Sequence, residues 1–200
     1  MKTPPRLDSL TMEIVRGRNA WLALGLIGIA GCVPVLNFVV FGYILEVMGK
    51  YQRTGQIAFE KPADWTALVR ESLIVGVAFL AYAGVPWFCG GILEEIIDQL
   101  SAMAVVPIGS LCVSTGGIIG LGLFGAAFIT YIRSGSWEPL LQVREIAQLA
   151  LSMASAVWLP VVLIFGFTAI TEPFYGLGLA IGLFFYCFYL GEISRRLSQS

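Results

Sequence analysis

The chain has 200 residues, of which 58% are hydrophobic and 12% charged, and its formal net charge is −1. Since about 25% of residues are charged in an average soluble domain, this composition excludes an ordinary soluble protein. Together with long apolar runs it predicts an all-α, polytopic integral membrane helical bundle. We expect membrane lipids around it and no nucleic-acid partner.

The placement of the basic residues predicts the topology. All twelve Lys and Arg fall within residues 2–18, 50–70, 133–144 and 195–196, and the loops at 32–36, 87–110 and 168–175 have none. Short loops rich in Lys and Arg stay cytoplasmic. We therefore predict that both termini and both basic loops are cytoplasmic, as in a prokaryotic inner membrane protein.

The first third of the chain contains a polar lead and two short apolar segments. Residues 1–18 form a cytoplasmic lead with an interfacial helix, and a single bundle over 19–196 follows. The first two spans, 19–32 and 35–50, are short for the roughly 20 residues of a full crossing, so they form either two crossings, which we favour, or a partial hairpin. Residues 29–32 (Ile-Ala-Gly-Cys) resemble a lipoprotein cleavage box. Because another apolar segment follows at once, we expect no cleavage there.

The remaining elements complete six spans. Asp64 is placed to cap the third span, 66–86. Residues 90–104 place apolar and acidic side chains on opposite helical faces, which predicts an amphipathic helix on the outer surface. The last three spans are predicted at 105–132, 146–168 and 175–194.

The predicted cytoplasmic turns contain an internal sequence repeat. Tyr51-Gln52-Arg53-Thr54-Gly55 returns as Tyr131-Ile132-Arg133-Ser134-Gly135, and Val69-Arg70-Glu71 returns as Val143-Arg144-Glu145. Pro86 and Pro160 each follow the Glu of the triplet by fifteen positions. This pattern predicts a parallel repeat of a two-helix unit.

Charged side chains near the membrane lie close to the predicted cytoplasmic ends. These side chains could form a ring that gates or binds a polar solute. The alternative, which we favour, is that they extend to the membrane–water interface and form ion pairs there. Glu46 and Glu192 are the best candidates for functional exceptions. The other candidate polar positions are Glu71, Glu145 and Asn37, of which Asn37 is the polar residue nearest the outer end of the second span.

Two further groups have structural interpretations. The interfacial anchors are Trp65, Arg70, Trp137 and Arg144. Gly116 with Gly120, and Gly178 with Gly182, have the small-xxx-small spacing that lets membrane helices approach closely.

Catalytic and metal-binding patterns are missing from the sequence. It has no histidine, and Cys32, Cys89, Cys112 and Cys187 form no Cys-x-x-Cys pair. We therefore expect no enzyme activity and no zinc, iron–sulfur or haem site. We expect the cysteines to be buried apolar side chains, although an oxidising exterior could pair two of the first three.

Two short motifs carry a family resemblance. Residues 33–38 (Val-Pro-Val-Leu-Asn-Phe) run into Phe41-Gly42-Tyr43, and Pro62-Ala63-Asp64-Trp65 opens the next helix. This stretch resembles the uncharacterised membrane family named domain of unknown function 4013, best over residues 20–90, although Lys61 departs from the apolar residue expected there. The resemblance implies a bundle and no catalytic residues.

Two functions remain open on the sequence. The first is a non-catalytic accessory or scaffolding subunit that binds other membrane subunits. The second is a transporter or channel for a small solute or ion, acting as a homo-oligomer. If Glu46, Glu192 and Asn37 line a continuous polar cavity, transport is favoured, whereas pairing inside packed protein favours scaffolding.

Overall fold

The computed structural model describes residues 7–17, 19–31, 34–54, 57, 59–62, 64–100, 108–170 and 175–198. Within these ranges the chain is helical and contains no strand, which confirms the all-α prediction. The helices are α1 (Leu7–Arg16), α2 (Ala20–Gly31), α3 (Pro34–Thr54), α4 (Trp65–Phe79), a π-helical segment (Leu80–Gly84), α5 (Val85–Leu100), α6 (Ile108–Ser134), a 3₁₀ turn (Glu138–Leu141), α7 (Val143–Ile170) and α8 (Tyr175–Ser198).

Three helical runs are long and apolar enough to cross a membrane in the described part of the chain. They are Trp65–Gln99, Leu111–Ser134 and Val143–Ile164, and they correspond to the third, fourth and fifth predicted spans. The apolar helix α2 has 12 residues, so it is about 18 Å long at 1.5 Å per residue. That length is below the ~30 Å of a bilayer core.

The sequence predicts a span that ends at residue 86 and a separate helix that begins at residue 90, but the structure shows no break between them. The helix continues without interruption through α4, the π-helical segment and α5 as far as Leu100, so residues 90–100 of the predicted separate helix lie in the same helical run as the third predicted span. A proline lacks the N–H that an α-helix needs and crowds the carbonyl of the preceding turn. The π-helical segment lies directly before Pro86, and its wider turn accommodates the ring. Only the amphipathic pattern supports a separate helix, and a continuous helix satisfies that pattern equally well.

Local signals set the ends of several helices. Asp64 caps α4, with its Oδ1 accepting from the backbone N–H of Thr66 at 2.8 Å and of Ala67 at 3.2 Å. Gly135 ends α6 with φ 65°, and its N–H donates to the Tyr131 carbonyl at 2.9 Å. This left-handed conformation favours glycine because it has no Cβ.

Helices α6 and α8 are the centre of the bundle. Helix α6 contacts α4, α5, α7 and α8, while α8 also contacts α1, α2 and α3. Their facing surfaces are apolar and aromatic: Phe124, Phe128, Phe184 and Phe188 are all at most 1% exposed. The Phe124 ring centroid lies 5.1 Å from that of Phe79 and 5.9 Å from that of Phe41, at spacings typical of favourable aromatic pairs. Hydrophobic side chains therefore fill the middle of the described bundle.

Glycines allow the closest helix contacts. A Cβ on Gly116 would collide with the Pro86 carbonyl oxygen, and one on Gly120 would lie 2.7 Å from the Ala83 carbonyl oxygen. Gly182 faces Ile164 of α7 with a corresponding distance of 3.2 Å, and Gly178 is buried. The α5–α6 contact thus uses the small residues that the sequence indicates, and the backbones approach directly.

Candidate functional site

The ion pairs of the described residues all lie at one end of the bundle, which we call the polar end, whereas Glu94, Glu95 and Asp98 lie on the last turns of α5. It comprises the last turns of α3, α6 and α8 and the first turns of α4. Three side-chain clusters lie there, centred on Glu192, Lys50 and Glu71. Each contains a contact between residues ten or more positions apart, which local helical spacing does not predict.

The Glu192 cluster is the most enclosed. Glu192 is 5% exposed, and its carboxylate accepts hydrogen bonds from Arg195 Nε at 2.8 Å, Arg195 Nη2 at 3.0 Å and Arg196 Nε at 3.0 Å. The hydrogen bond to Glu192 raises the pKa of the Arg195 guanidinium. Because each oxygen has a charged donor, the carboxylate stays ionised although it is buried.

Tyr51 connects this cluster to α3. The Arg195 guanidinium carbon lies 5.4 Å from the centroid of the Tyr51 ring, within the range of a cation–π interaction. Burial, with the negative charge of Glu192, raises the pKa of the Tyr51 hydroxyl. The cluster therefore joins the ends of α3 and α8, and it is a structural connection inside packed protein.

The Lys50 cluster is more open. Lys50 Nζ lies 3.2 Å from Glu46 Oε1, one turn back on α3, and 3.4 Å from Glu60 Oε2. The Glu46 side chain is 22% exposed and that of Glu60 is 59% exposed. The Tyr43 hydroxyl donates to the Glu60 carbonyl at 3.2 Å. These contacts hold the connection between α3 and α4 against the end of α3.

The Glu71 cluster joins α4 to α6. Tyr131 donates its hydroxyl hydrogen to Glu71 Oε2 at 2.7 Å, and Arg70 Nη2 lies 3.7 Å from Glu71 Oε1. Glu71, Tyr131 and Gly135 line a cavity of about 180 Å³ that also touches Met48 of α3. This pocket is confined to the polar end.

The predicted anchors lie on the surface. Trp65, Trp137 and Arg144 are exposed, as side chains at an interface are, and so is Arg70, although it also joins the Glu71 cluster. Glu145 is exposed as well and belongs to none of the three clusters. The repeat in sequence therefore does not give its two glutamates the same surroundings.

Two other predictions concern Asn37 and the cysteines. The side chain of Asn37 and all of Cys32 lie outside the described residues. Cys187 is buried, Cys112 is half-buried and Cys89 is exposed. The expectation of burial is therefore wrong for Cys89, which lies on an outward face of α5.

The structure adds contacts that the sequence does not reveal. Gly42 of α3 faces α4, where its N–H donates to Ser72 Oγ at 3.1 Å and a Cβ would collide with the Leu68 carbonyl oxygen. The Tyr186 hydroxyl donates to the Leu121 carbonyl at 2.8 Å, and that of Tyr189 to the Ala156 carbonyl at 3.0 Å. The sequence shows the Gly42-Tyr43 pair and the aromatic residues of α8. It does not show which residues they contact, because each of these partners lies 30 or more positions away.

A second cavity, larger than the one beside Glu71, borders the Lys50 cluster, because Tyr43 and Glu60 belong to both. It has a volume of about 820 Å³ and runs between α2 and α3, with the residues before α4 at one end. Its walls are mostly aliphatic, including Leu22, Leu26 and Val40. One end of the cavity carries the polar residues Asn19, Glu60 and Lys61. It opens along the outside of the bundle and does not pass through the core.

Among the described residues, no group of three or more Cys, Asp and Glu is arranged to hold a metal ion. Comparison with protein-family models, with curated proteins and with solved structures found no match for the chain. The resemblance to domain of unknown function 4013 therefore stays a prediction.

Proposed function

We propose that this chain is a non-catalytic integral membrane subunit that binds other membrane proteins in a larger assembly. In this proposal six segments cross the membrane, both termini are cytoplasmic, and the polar end faces the cytoplasm. The supporting observation is the environment of Glu192, which is enclosed in packed protein and fully paired with Arg195 and Arg196. Both arginines lie on α8 together with Glu192, so this carboxylate is held within its own helix and offers no free ligand.

The composition of the bundle interior supports the same proposal. A solute pathway needs polar groups at membrane depth, but side chains such as Phe124, Phe128 and Phe184 fill that level in the described part. The small cavity beside Glu71 stays at the polar end. Transport by a homo-oligomer is the competing function, and an experiment must distinguish it from scaffolding.

Two outward faces offer surface for partners. The run through α4 and α5 exposes Leu73, Val77 and Phe88, and α7 exposes Leu151 and Trp158. Both faces are mainly apolar between their charged ends, so either lipid or a partner helix can cover them.

Photo-crosslinking in the native membrane tests the proposal. A photoreactive amino acid would be placed at Leu73 and, separately, at Leu151, which are 59% and 78% exposed. The control position is Phe128, which is 1% exposed. We expect at least one outward position to capture a distinct membrane protein that also copurifies stoichiometrically in mild detergent, while the control captures none.

A different result would favour transport. If the purified protein is a homo-oligomer without other subunits and reconstituted vesicles show solute flux that Glu71→Gln abolishes, the scaffolding proposal is wrong. Glu145→Gln is the matched control, because Glu145 is exposed and lies outside the cavity.

A further inference from the structure

The cavity between α2 and α3, here the α2–α3 groove, differs from an ordinary lipid-facing surface. It has a volume of about 820 Å³, within the roughly 300–1,000 Å³ of ligand sites. Its walls come from α2, α3 and the first turn of α4, and its floor includes Ala23 and Ile27, which are at most 5% exposed. The aliphatic part of this cavity cannot give water the two to four polar partners it needs.

The two ends of the groove differ in chemistry. Ala30 and Val39 mark one end, and both are aliphatic. Asn19, Glu60 and Lys61 mark the other, with Trp65 beside them. A ligand that fills the groove must therefore be an amphiphile with one long apolar part and one polar head.

The length of the groove matches a single acyl chain. Asn19 and Ala30 are eleven positions apart along the wall formed by α2, which is about 16 Å at 1.5 Å per residue. One leaflet of a bilayer has a hydrocarbon depth of about half of ~30 Å. The groove thus has the length from a headgroup level to the bilayer midplane.

The charges at the mouth select the headgroup. Lys61 is exposed and forms no ion pair within the described ranges. Its neighbour Glu60 has a 59% exposed side chain and shares the cation Lys50 with Glu46. A cation next to an exposed carboxylate suits a zwitterionic headgroup better than an anionic one, because Glu60 would repel an anionic lipid.

We propose that the α2–α3 groove binds one phospholipid with a phosphoethanolamine headgroup. One of its two acyl chains lies along Leu22, Leu26 and Val40, and the other faces the surrounding lipid. Its phosphate pairs with Lys61, and its primary ammonium donates to Glu60. On the proposed topology the lipid belongs to the cytoplasmic leaflet. The site does not depend on whether the protein acts as a scaffold or a transporter.

Native mass spectrometry of the purified full chain tests this site. The protein in mild detergent would be titrated with phosphatidylethanolamine, phosphatidylcholine or phosphatidylglycerol of identical acyl chains. We expect one phosphatidylethanolamine to bind at the lowest concentration, because a choline group cannot donate to Glu60. Lys61→Gln should weaken binding about fivefold, since one basic residue near a lipid surface contributes ~1 kcal/mol.

Three further variants separate headgroup from chain contacts. Glu60→Gln should remove the preference for ethanolamine over choline. Leu26→Trp should fill the groove and lower binding of the preferred lipid, whereas Leu151→Trp on α7 should not, because Leu151 is exposed away from the groove. Arg144→Gln is the charge control. Melting curves in detergent would show that each variant is folded.

Several outcomes would overturn the proposal. Equal binding of all three lipids, unchanged in Lys61→Gln and Leu26→Trp, would mean that the protein carries only a non-selective lipid annulus. Tighter binding of phosphatidylglycerol would show that the headgroup assignment is wrong. A crosslink from Leu26 to another protein instead of lipid would assign the groove to a partner helix.

Discussion

The two hairpins that echo each other in sequence, α3–α4 and α6–α7, do not share their contacts. When Tyr51 is aligned with Tyr131, Gly42 falls opposite Gly122. Gly42 touches the backbone of α4, yet a Cβ added at Gly122 would meet nothing within 4 Å. Glu71 accepts from Tyr131, whereas its counterpart Glu145 is exposed. Matching residues at matching positions therefore have different energetic roles in the two hairpins.

The difference follows from where each hairpin lies. In the first, α3 and α4 pack against each other through Gly42 and Ser72. In the second, α6 is central and directs its glycines elsewhere: Gly116 and Gly120 face the α4–α5 run, and Gly125 faces Tyr186 of α8. A repeat in sequence thus predicts similar helices and turns, but the surrounding helices decide which side chains are buried.

The largest contrast is expected from the two glycines. In Gly42→Ala the new methyl group would collide with the Leu68 carbonyl oxygen and Ser72 Oγ, and overpacking of this kind costs about 1–3 kcal/mol. In Gly122→Ala the methyl enters open space, and the gain in helix propensity is about 0.5–1 kcal/mol. Free energies of unfolding from SDS titration in mixed micelles would measure both. A loss in Gly122→Ala as large as in Gly42→Ala would contradict the packing described here.

The glutamates should show a smaller contrast of the same kind. Glu71→Gln replaces the acceptor of a 2.7 Å hydrogen bond from Tyr131, and hydrogen bonds to charged groups contribute about 1.5–3 kcal/mol. Since the Glu71 side chain is 33% exposed, we expect a loss of about 1 kcal/mol. Glu145→Gln should stay within about 0.5 kcal/mol of the native chain.

A double-mutant cycle would establish the cause. Glu71→Gln and Tyr131→Phe should be non-additive, because the first removes the charge of the acceptor in this bond and the second removes its donor. Additive losses would mean that Glu71 stabilises the hairpin through Arg70 or through solvent, and the link between α4 and α6 would lose its support.

The sequence predicts helices and their ends better than it predicts partners. Asp64 and Gly135 act within their own turns, so short-range patterns locate them. The bond from Tyr131 to Glu71 connects residues 60 positions apart, and no local pattern contains that information. Pro86 and Pro160 show the same limit, because identical spacing produces a π-helical segment before Pro86 and an uninterrupted α-helix at Pro160.

The candidate polar residues show a further limit. Glu46 and Glu192 have similar local sequences, each with a Tyr three positions earlier and basic residues after it. In the structure the Glu192 side chain is 6% exposed, while the Glu46 side chain is 22% exposed. Glu192 is buried because other helices surround α8. Hydrophobic periodicity does not predict this packing, because α8 is apolar on all sides.

The smallest contrast concerns two tyrosine hydroxyls at the level of the π-helical segment. Aligning Glu71 with Glu145 places Tyr82 opposite Ala156. The Tyr82 hydroxyl donates to the Leu140 carbonyl at 2.5 Å, while the Ala156 carbonyl accepts from Tyr189 at 3.0 Å. The position in the first hairpin donates a hydrogen bond to the 3₁₀ turn, and the aligned position in the second accepts one from α8. Both hairpins therefore have a hydroxyl–carbonyl bond to another element at this level.

Tyr82→Phe and Tyr189→Phe should cost similar amounts, because both delete one hydroxyl–carbonyl bond and keep the ring. Interhelical hydrogen bonds in membrane proteins average about 0.6 kcal/mol, and we expect a loss of that size in each variant by SDS titration. Tyr43→Phe is the control, since its hydroxyl bonds the exposed Glu60 carbonyl at 3.2 Å and should contribute less. If Tyr82→Phe is neutral while Tyr189→Phe is destabilised, the 3₁₀ turn does not hold the π-helical segment in place, and the equivalence of the two hairpins at this level fails.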